Sequence, residues 1–207
     1  MKVKEFHSIE QLDELNLKQA ATAGLIGLTA LSPRTGMTHE PPKSPPAVVQ
    51  PAKDEATQVL ELVNRIASDY KINKAVANHI VNMAYKHAQP DFPKAKDLLA
   101  IIGAESDFQH AARSRLKADP ALGLMQIRPG VWKIPPKELM NIDKNIEHGA
   151  KILNRYYNQL KKNKAAAIQA YNLGLTDFLK GKRNHSYLNK VKAEYQWLVG
   201  QKERPPK

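Results

Sequence analysis

Apolar residues recur at helical spacing along most of the chain beyond residue 54. Val59, Leu62, Val63 and Ile66 share one face of a first helix, with Asp54 placed to cap it. Val76, Ile80, Met83 and Ala84 form the inward stripe of a second, and Asn73 is its expected cap. Pro93 suits the first turn of a third, which carries Leu98, Leu99, Ile101 and Ile102 and ends at Glu105. Across 106–140, Pro120, Pro129, Pro135 and Pro136 interrupt any long element, so this stretch reads as irregular. Ile142 to Leu160 reads as a long helix, with Ile146, Ala150, Leu153, Tyr156 and Leu160 on one stripe. Gly149 lies on that stripe and lets another backbone approach closely. Ala165 to Tyr171 is short and strongly helix-forming, stopped by Asn172 and Gly174. Ser186 is the expected cap of a last helix that turns Val191, Tyr195 and Leu198 inward. Alternating strand patterns and internal repeats are both absent, so the expected fold class is all-α, with six or seven helices.

The pattern changes before residue 52. Ala20 to Leu31 is an uncharged run of twelve residues, too short for a bilayer span of about 20. It has the length of a signal-peptide apolar region, but the segment before it is long and acidic, and Pro33 disturbs the cleavage point. A short buried or membrane-seeking helix fits at least as well. Residues 33–51 hold six of the 14 prolines and read as an extended linker. Two parts are therefore expected: a leader and proline-rich linker at 1–51, and a folded domain at 52–207.

Composition bounds the chemistry. A hydrophobic content of 42% supports one core, and aromatics at 6% make that core aliphatic. There is no Cys, which excludes disulfides, thiolate metal sites and a cysteine nucleophile. His79 and His87 lie eight apart, and Glu147-His148 lacks the His-Glu-x-x-His spacing, so no zinc site is expected. No phosphate-cradling glycine loop precedes a Lys and Ser or Thr. The net charge of +12 is concentrated at the end: residues 151–207 carry thirteen Lys and Arg against three acids. Such a surface attracts polyanions, namely nucleic acid, anionic lipid or an anionic cell wall, although it also serves as a solvated face.

One carboxylate stands out. Glu105 follows the run Leu98 to Ala104, at the end of the third helix. A helix C-terminus favours cations, and burial beside Ile101 and Ile102 disfavours the charged acid. Both effects hold the proton on Glu105 near neutral pH, as a general acid requires. On local pattern alone the alternative is an ordinary exposed Glu just past a core helix.

Glu105-Ser106-x-Phe108, Ser114, and Gly123-Leu124-Met125-Gln126 resemble the signature of the soluble lytic transglycosylases, and Ala170-Tyr171-Asn172-x-Gly174 resembles that family's later motif. The likeness extends over roughly 60–195. One departure is Leu116 to Leu122, longer than the short connection usual before Gly-Leu-Met-Gln. The resemblance implies a lysozyme-like fold and cleavage of peptidoglycan glycan strands between N-acetylmuramic acid and N-acetylglucosamine, without a cofactor. It implies Glu105 as the acid and base, and a 1,6-anhydromuramoyl product, with the sugar's N-acetyl carbonyl standing in for a second carboxylate. The nearest acids, Asp107 and Asp119, lie outside the matched motifs.

The other motif residues carry positioning roles by the same resemblance. Ser114 bonds Glu105 or the N-acetyl group, unless it is a plain loop hydroxyl. Met125 offers a wall for a sugar face, with core packing as the alternative. Gln126 addresses sugar amides. Tyr171 orients the carboxyl, and Asn172 meets the peptide stem or caps a helix end. Tyr187 matches a weaker terminal motif. Peptidoglycan is the expected partner, with the basic C-terminal region touching an anionic wall or membrane surface; nucleic acid is not expected. The alternatives are a lysozyme-type hydrolase of the same bond and a non-catalytic basic binding protein. A phage virion or cell-entry protein, a periplasmic or envelope enzyme and a secretion-system accessory are the settings that fit.

Overall fold

The computed structural model describes residues 55–204. The apolar run Ala20 to Leu31, the proline-rich linker, the boundary near Pro51 and the Asp54 cap lie outside the described residues.

Nine helices follow one another among the described residues: α1 (Glu55–Tyr70), α2 (Lys74–His87), α3 (Ala95–Ser106), α4 (Pro129–Trp132), α5 (Pro136–Leu139), α6 (Ile142–Gln159), α7 (Lys164–Leu173), α8 (Leu175–Leu179) and α9 (His185–Leu198). No strand occurs among the described residues, only isolated antiparallel bridges from Leu122 to Arg113 and to Ile127. The fold is all-α, as expected. Six helices are long; the extra three have four or five residues. Pro129 and Pro136 start short helices where the sequence reading took them as breaks, because proline's fixed φ suits a first helical position.

α3 is the centre. Leu98 to Ile102 are fully enclosed, as befits a helix apolar on every side. α2, α6 and α9 pack around it, α1 lies on α2, and α7 lies on α6 and α9. α1 also meets the end of α9: Arg65 donates to the Trp197 and Leu198 carbonyls, and Trp197 Nε1 donates to Asp69.

Caps match expectation at Asn73, whose side chain accepts from Ala75 N at 2.8 Å. They differ elsewhere. Asn184, not Ser186, caps α9, accepting from Tyr187 N at 2.9 Å, and Ser186 is an exposed first-turn residue. Pro93 precedes α3 instead of lying in its first turn; Lys94 is the N-cap, and its N–H donates to the Asp97 carboxylate. α7 runs two residues beyond Tyr171 and stops at Gly174, whose φ of 82° breaks the helix without a Cβ penalty.

Candidate active site

α3 delivers Glu105 in its last turn. The helix ends because Asp107 and Phe108 both turn left-handed, at φ 50° and 60°. Phe108 is fully buried against Tyr70, with ring centroids 4.6 Å apart, and this contact anchors the turn. Glu105 is partly buried and lines a cleft of about 360 Å³. The Tyr187 hydroxyl, from α9, donates to Glu105 Oε1 at 2.6 Å. Lys190, one turn along α9, donates to the Ala104 carbonyl.

Burial raises the Glu105 pKa above the ordinary carboxylate value and outweighs the Tyr187 hydrogen bond and the Lys190 charge, both of which lower it. The expected contribution from the helix dipole is offset, because Lys190 places a cation on the carbonyl end of α3. Desolvation carries the rise.

The motif residues gather around this acid in different ways. Ser114, Gln126, Tyr171 and Asn172 all line the cleft with Glu105. Ser114 spends its hydroxyl on the backbone, accepting from Ala121 N at 2.8 Å, while its own N–H donates to Ala121 O. These two bonds close the base of the extended 116–122 loop. Gln126 sits at φ 48°, a strained conformation for a side-chain-bearing residue, and its Nε2 donates to Gly123 O. Asn172 is exposed and accepts from Asn184 Nδ2 at 2.7 Å; it caps no helix.

Two expectations need correcting. Tyr171 does not hold the carboxyl: its hydroxyl donates to the Met125 carbonyl at 2.8 Å, and Tyr187 occupies the position on Glu105 instead. Met125 forms no cleft wall. Its side chain is fully buried over Gly149, where a Cβ would overlap its sulfur and methyl, so the close approach foreseen at Gly149 is made by a side chain.

The residue that holds this turn together carries no signal of its own in the sequence. Asn145, buried on α6, accepts from Met125 N at 2.8 Å and donates to Leu122 O at 3.0 Å and Leu139 O at 2.8 Å. Leu116, Arg128, Val131 and Trp132 in the cleft lining were not expected there, and Tyr156, expected in the core, lies there too. Trp132 packs on Tyr156 with centroids 5.9 Å apart, a pair whose aromaticity was the available signal.

Glu105 is the one carboxylate in that lining among the described residues. Asp119 is engaged by Arg128 at 3.2 Å and by Gly130 N at 2.8 Å. Asp107 acts on Tyr70 and Glu194, away from the cleft. Among the described residues no three His, Asp or Glu side chains gather as a metal-holding group.

No curated protein matches the chain significantly. A family model described as "Transglycosylase SLT domain" matches residues 83–193, from α2 to within α9. That match covers more than half of the chain and includes Glu105, the Gly123–Gln126 turn and Tyr187; the protein therefore belongs to the transglycosylase SLT domain family, with the all-α, lysozyme-like fold and the peptidoglycan-directed lytic activity of that family.

Proposed function

We propose that the domain cuts the β-1,4 bond between N-acetylmuramic acid and N-acetylglucosamine in peptidoglycan, with Glu105 as general acid and then general base. The observation that carries this reading is the solitary carboxyl. Glu105 lines the cleft, burial raises its pKa, and no second Asp or Glu among the described residues joins it there. A protonated Glu105 gives its proton to the departing glycosidic oxygen as the bond to C1 breaks. Ordinary glycosidases place a second carboxylate across the bond. Here the sugar's own N-acetyl carbonyl takes that place, shielding the positive charge that develops at C1. The Glu105 carboxylate then takes the proton of the muramoyl C6 hydroxyl as that oxygen bonds to C1. Glu105 regains its proton, a 1,6-anhydro ring closes, and no water is consumed.

The surrounding residues position the sugar. Gln126 and Asn172 present amides to the N-acetyl groups and peptide stem from the cleft wall. Tyr171, through the Met125 carbonyl, and Ser114, through Ala121, hold the turns that carry that wall. The catalytic unit is 52–207, with 1–51 as leader and linker.

Glu105→Gln keeps the shape but has no proton to deliver. The expected result is unchanged helical circular dichroism with clearing of purified peptidoglycan reduced by about a thousandfold. Clearing retained by a folded variant contradicts the reading.

A further inference from the structure

Asn184, at the N-cap of α9, is bonded to both α7 and α9. Its N–H donates at 3.0 Å to Oε1 of Gln169, a buried residue of α7. Its side-chain oxygen caps α9 by accepting from Tyr187 N at 2.9 Å. Its Nδ2 donates to Asn172 Oδ1 at 2.7 Å. One half-buried amide thus joins the helix that carries Tyr187, the partner of Glu105, to a side chain of the cleft wall.

These bonds settle which end of each amide faces which way. The nitrogen and oxygen of an Asn side chain are told apart by their partners. A backbone N–H can only donate, so Tyr187 N takes the Asn184 oxygen and leaves the Asn184 nitrogen for Asn172. That nitrogen is a donor alone, so Asn172 meets it with its oxygen. What Asn172 turns elsewhere is its pair of N–H donors. The polarity of this point of the cleft is therefore set by a helix cap twelve residues along the chain.

We propose that Asn184 is a positioning residue that locks Asn172 as a hydrogen-bond donor, so that the cleft takes an acceptor oxygen of the glycan strand at this point. The proposal rests on the cleft being the peptidoglycan site, and it deepens that reading. Two parts of a strand carry such an oxygen: the N-acetyl carbonyl of a sugar, and the carbonyls and carboxylates of the peptide stem. An amide N–H presented there would face donor against donor.

Three variants separate this role from simple capping. Asn184→Asp keeps an oxygen for Tyr187 N, and aspartate caps a helix as well as asparagine does. Its second oxygen is another acceptor, so Asn172 must turn its NH2 group toward it and show its own oxygen to the cleft. Asn184→Ser, the uncharged control, keeps a capping oxygen and releases Asn172. Asn172→Asp still accepts from Asn184 but removes the donors.

Each variant is made in full-chain Glu105→Gln, and affinity is measured for soluble peptidoglycan strands, intact and stripped of their peptides. The Asn172 NH2 resonances, assigned by their loss in Asn172→Asp, report the contact directly. Asn184→Asp and Asn172→Asp are expected to weaken binding about tenfold, and Asn184→Ser by less, while the Asn184 variants melt close to their parent. With Glu105 restored, the same changes raise KM more than they lower kcat. A loss seen with stripped strands assigns the acceptor to the sugar; a loss confined to intact strands assigns it to the stem. Unchanged affinity for both strands in folded Asn184→Asp overturns the proposal, as do Asn172 NH2 resonances that stay put on saturation. Affinity that falls only in step with melting temperature overturns it too, because capping alone then accounts for Asn184. Resonances that move in a protein that never clears peptidoglycan support the donor assignment and remove the catalytic reading instead.

Discussion

The Tyr187 hydroxyl donates to Glu105 Oε1 at 2.6 Å across 82 positions of sequence, joining the last turn of α3 to the first turn of α9. One oxygen of the carboxyl is thereby fixed. The bond favours the Glu105 anion, and burial of Glu105 outweighs it.

Tyr187→Phe is predicted to free that oxygen and to lower kcat about tenfold to a hundredfold, the scale of one charge-assisted hydrogen bond. The pH profile supplies the sign. Losing a bond that lowers the Glu105 pKa raises that pKa, so the alkaline limb moves to higher pH. A downward move contradicts the assignment.

Glu105→Gln is predicted to stabilise the fold, and to do so more at high pH. The folded pKa lies above the unfolded carboxylate value. The folded state therefore binds more protons between those two values, and wild-type stability falls as pH rises through that window. The amide escapes this loss. Melting temperatures of the two proteins are expected to lie close together near about pH 4 and to separate by about pH 8, with the variant higher. Equal separation at both pH values contradicts the burial account.

Asn145→Ala is predicted to cost about 3 kcal/mol in urea unfolding, since it strands Met125 N and Leu139 O in the interior and leaves Leu122 O with the Ile127 N–H as its partner. Activity falls with it, because the same turn aims Gln126 at the cleft.

Gly149→Ala sets two effects against each other. Alanine in mid-helix gains about 1 kcal/mol over glycine, and overpacking a closed core costs about 1–3 kcal/mol. The new Cβ would overlap the fully buried Met125 sulfur, so overpacking wins and the variant unfolds at lower denaturant. A variant more stable than wild type shows that Met125 has room to move.

The helices were legible because their apolar spacing is set locally, and the place of Glu105 at the end of α3 was legible because a long apolar run leads to it. Gly149 was readable for a related reason: a glycine on an inward stripe has few uses. What the chain concealed depends on distant partners. Asn145 reads as a polar residue of the first turns of α6 until Met125, Leu122 and Leu139 are seen around it. Tyr171 and Tyr187 are chemically identical candidates for the carboxyl, and only the docking of α9 on α3 separates them. The α9 cap was displaced to Asn184 because its side chain, not that of Ser186, reaches Tyr187 N. Glu194 resembled any helix-surface acid, and it is buried against Gly103 of another helix.

The central claim is that Glu105 works without a second carboxylate and closes a ring in place of admitting water. Purified peptidoglycan digested by the protein, with the released disaccharide-peptides weighed without chemical reduction, tests this most directly. The account predicts products lighter by one water than those of a lysozyme, resistant to borohydride, and absent with Glu105→Gln. Predominantly reducing ends that take up borohydride would show that water attacks C1, and would contradict it.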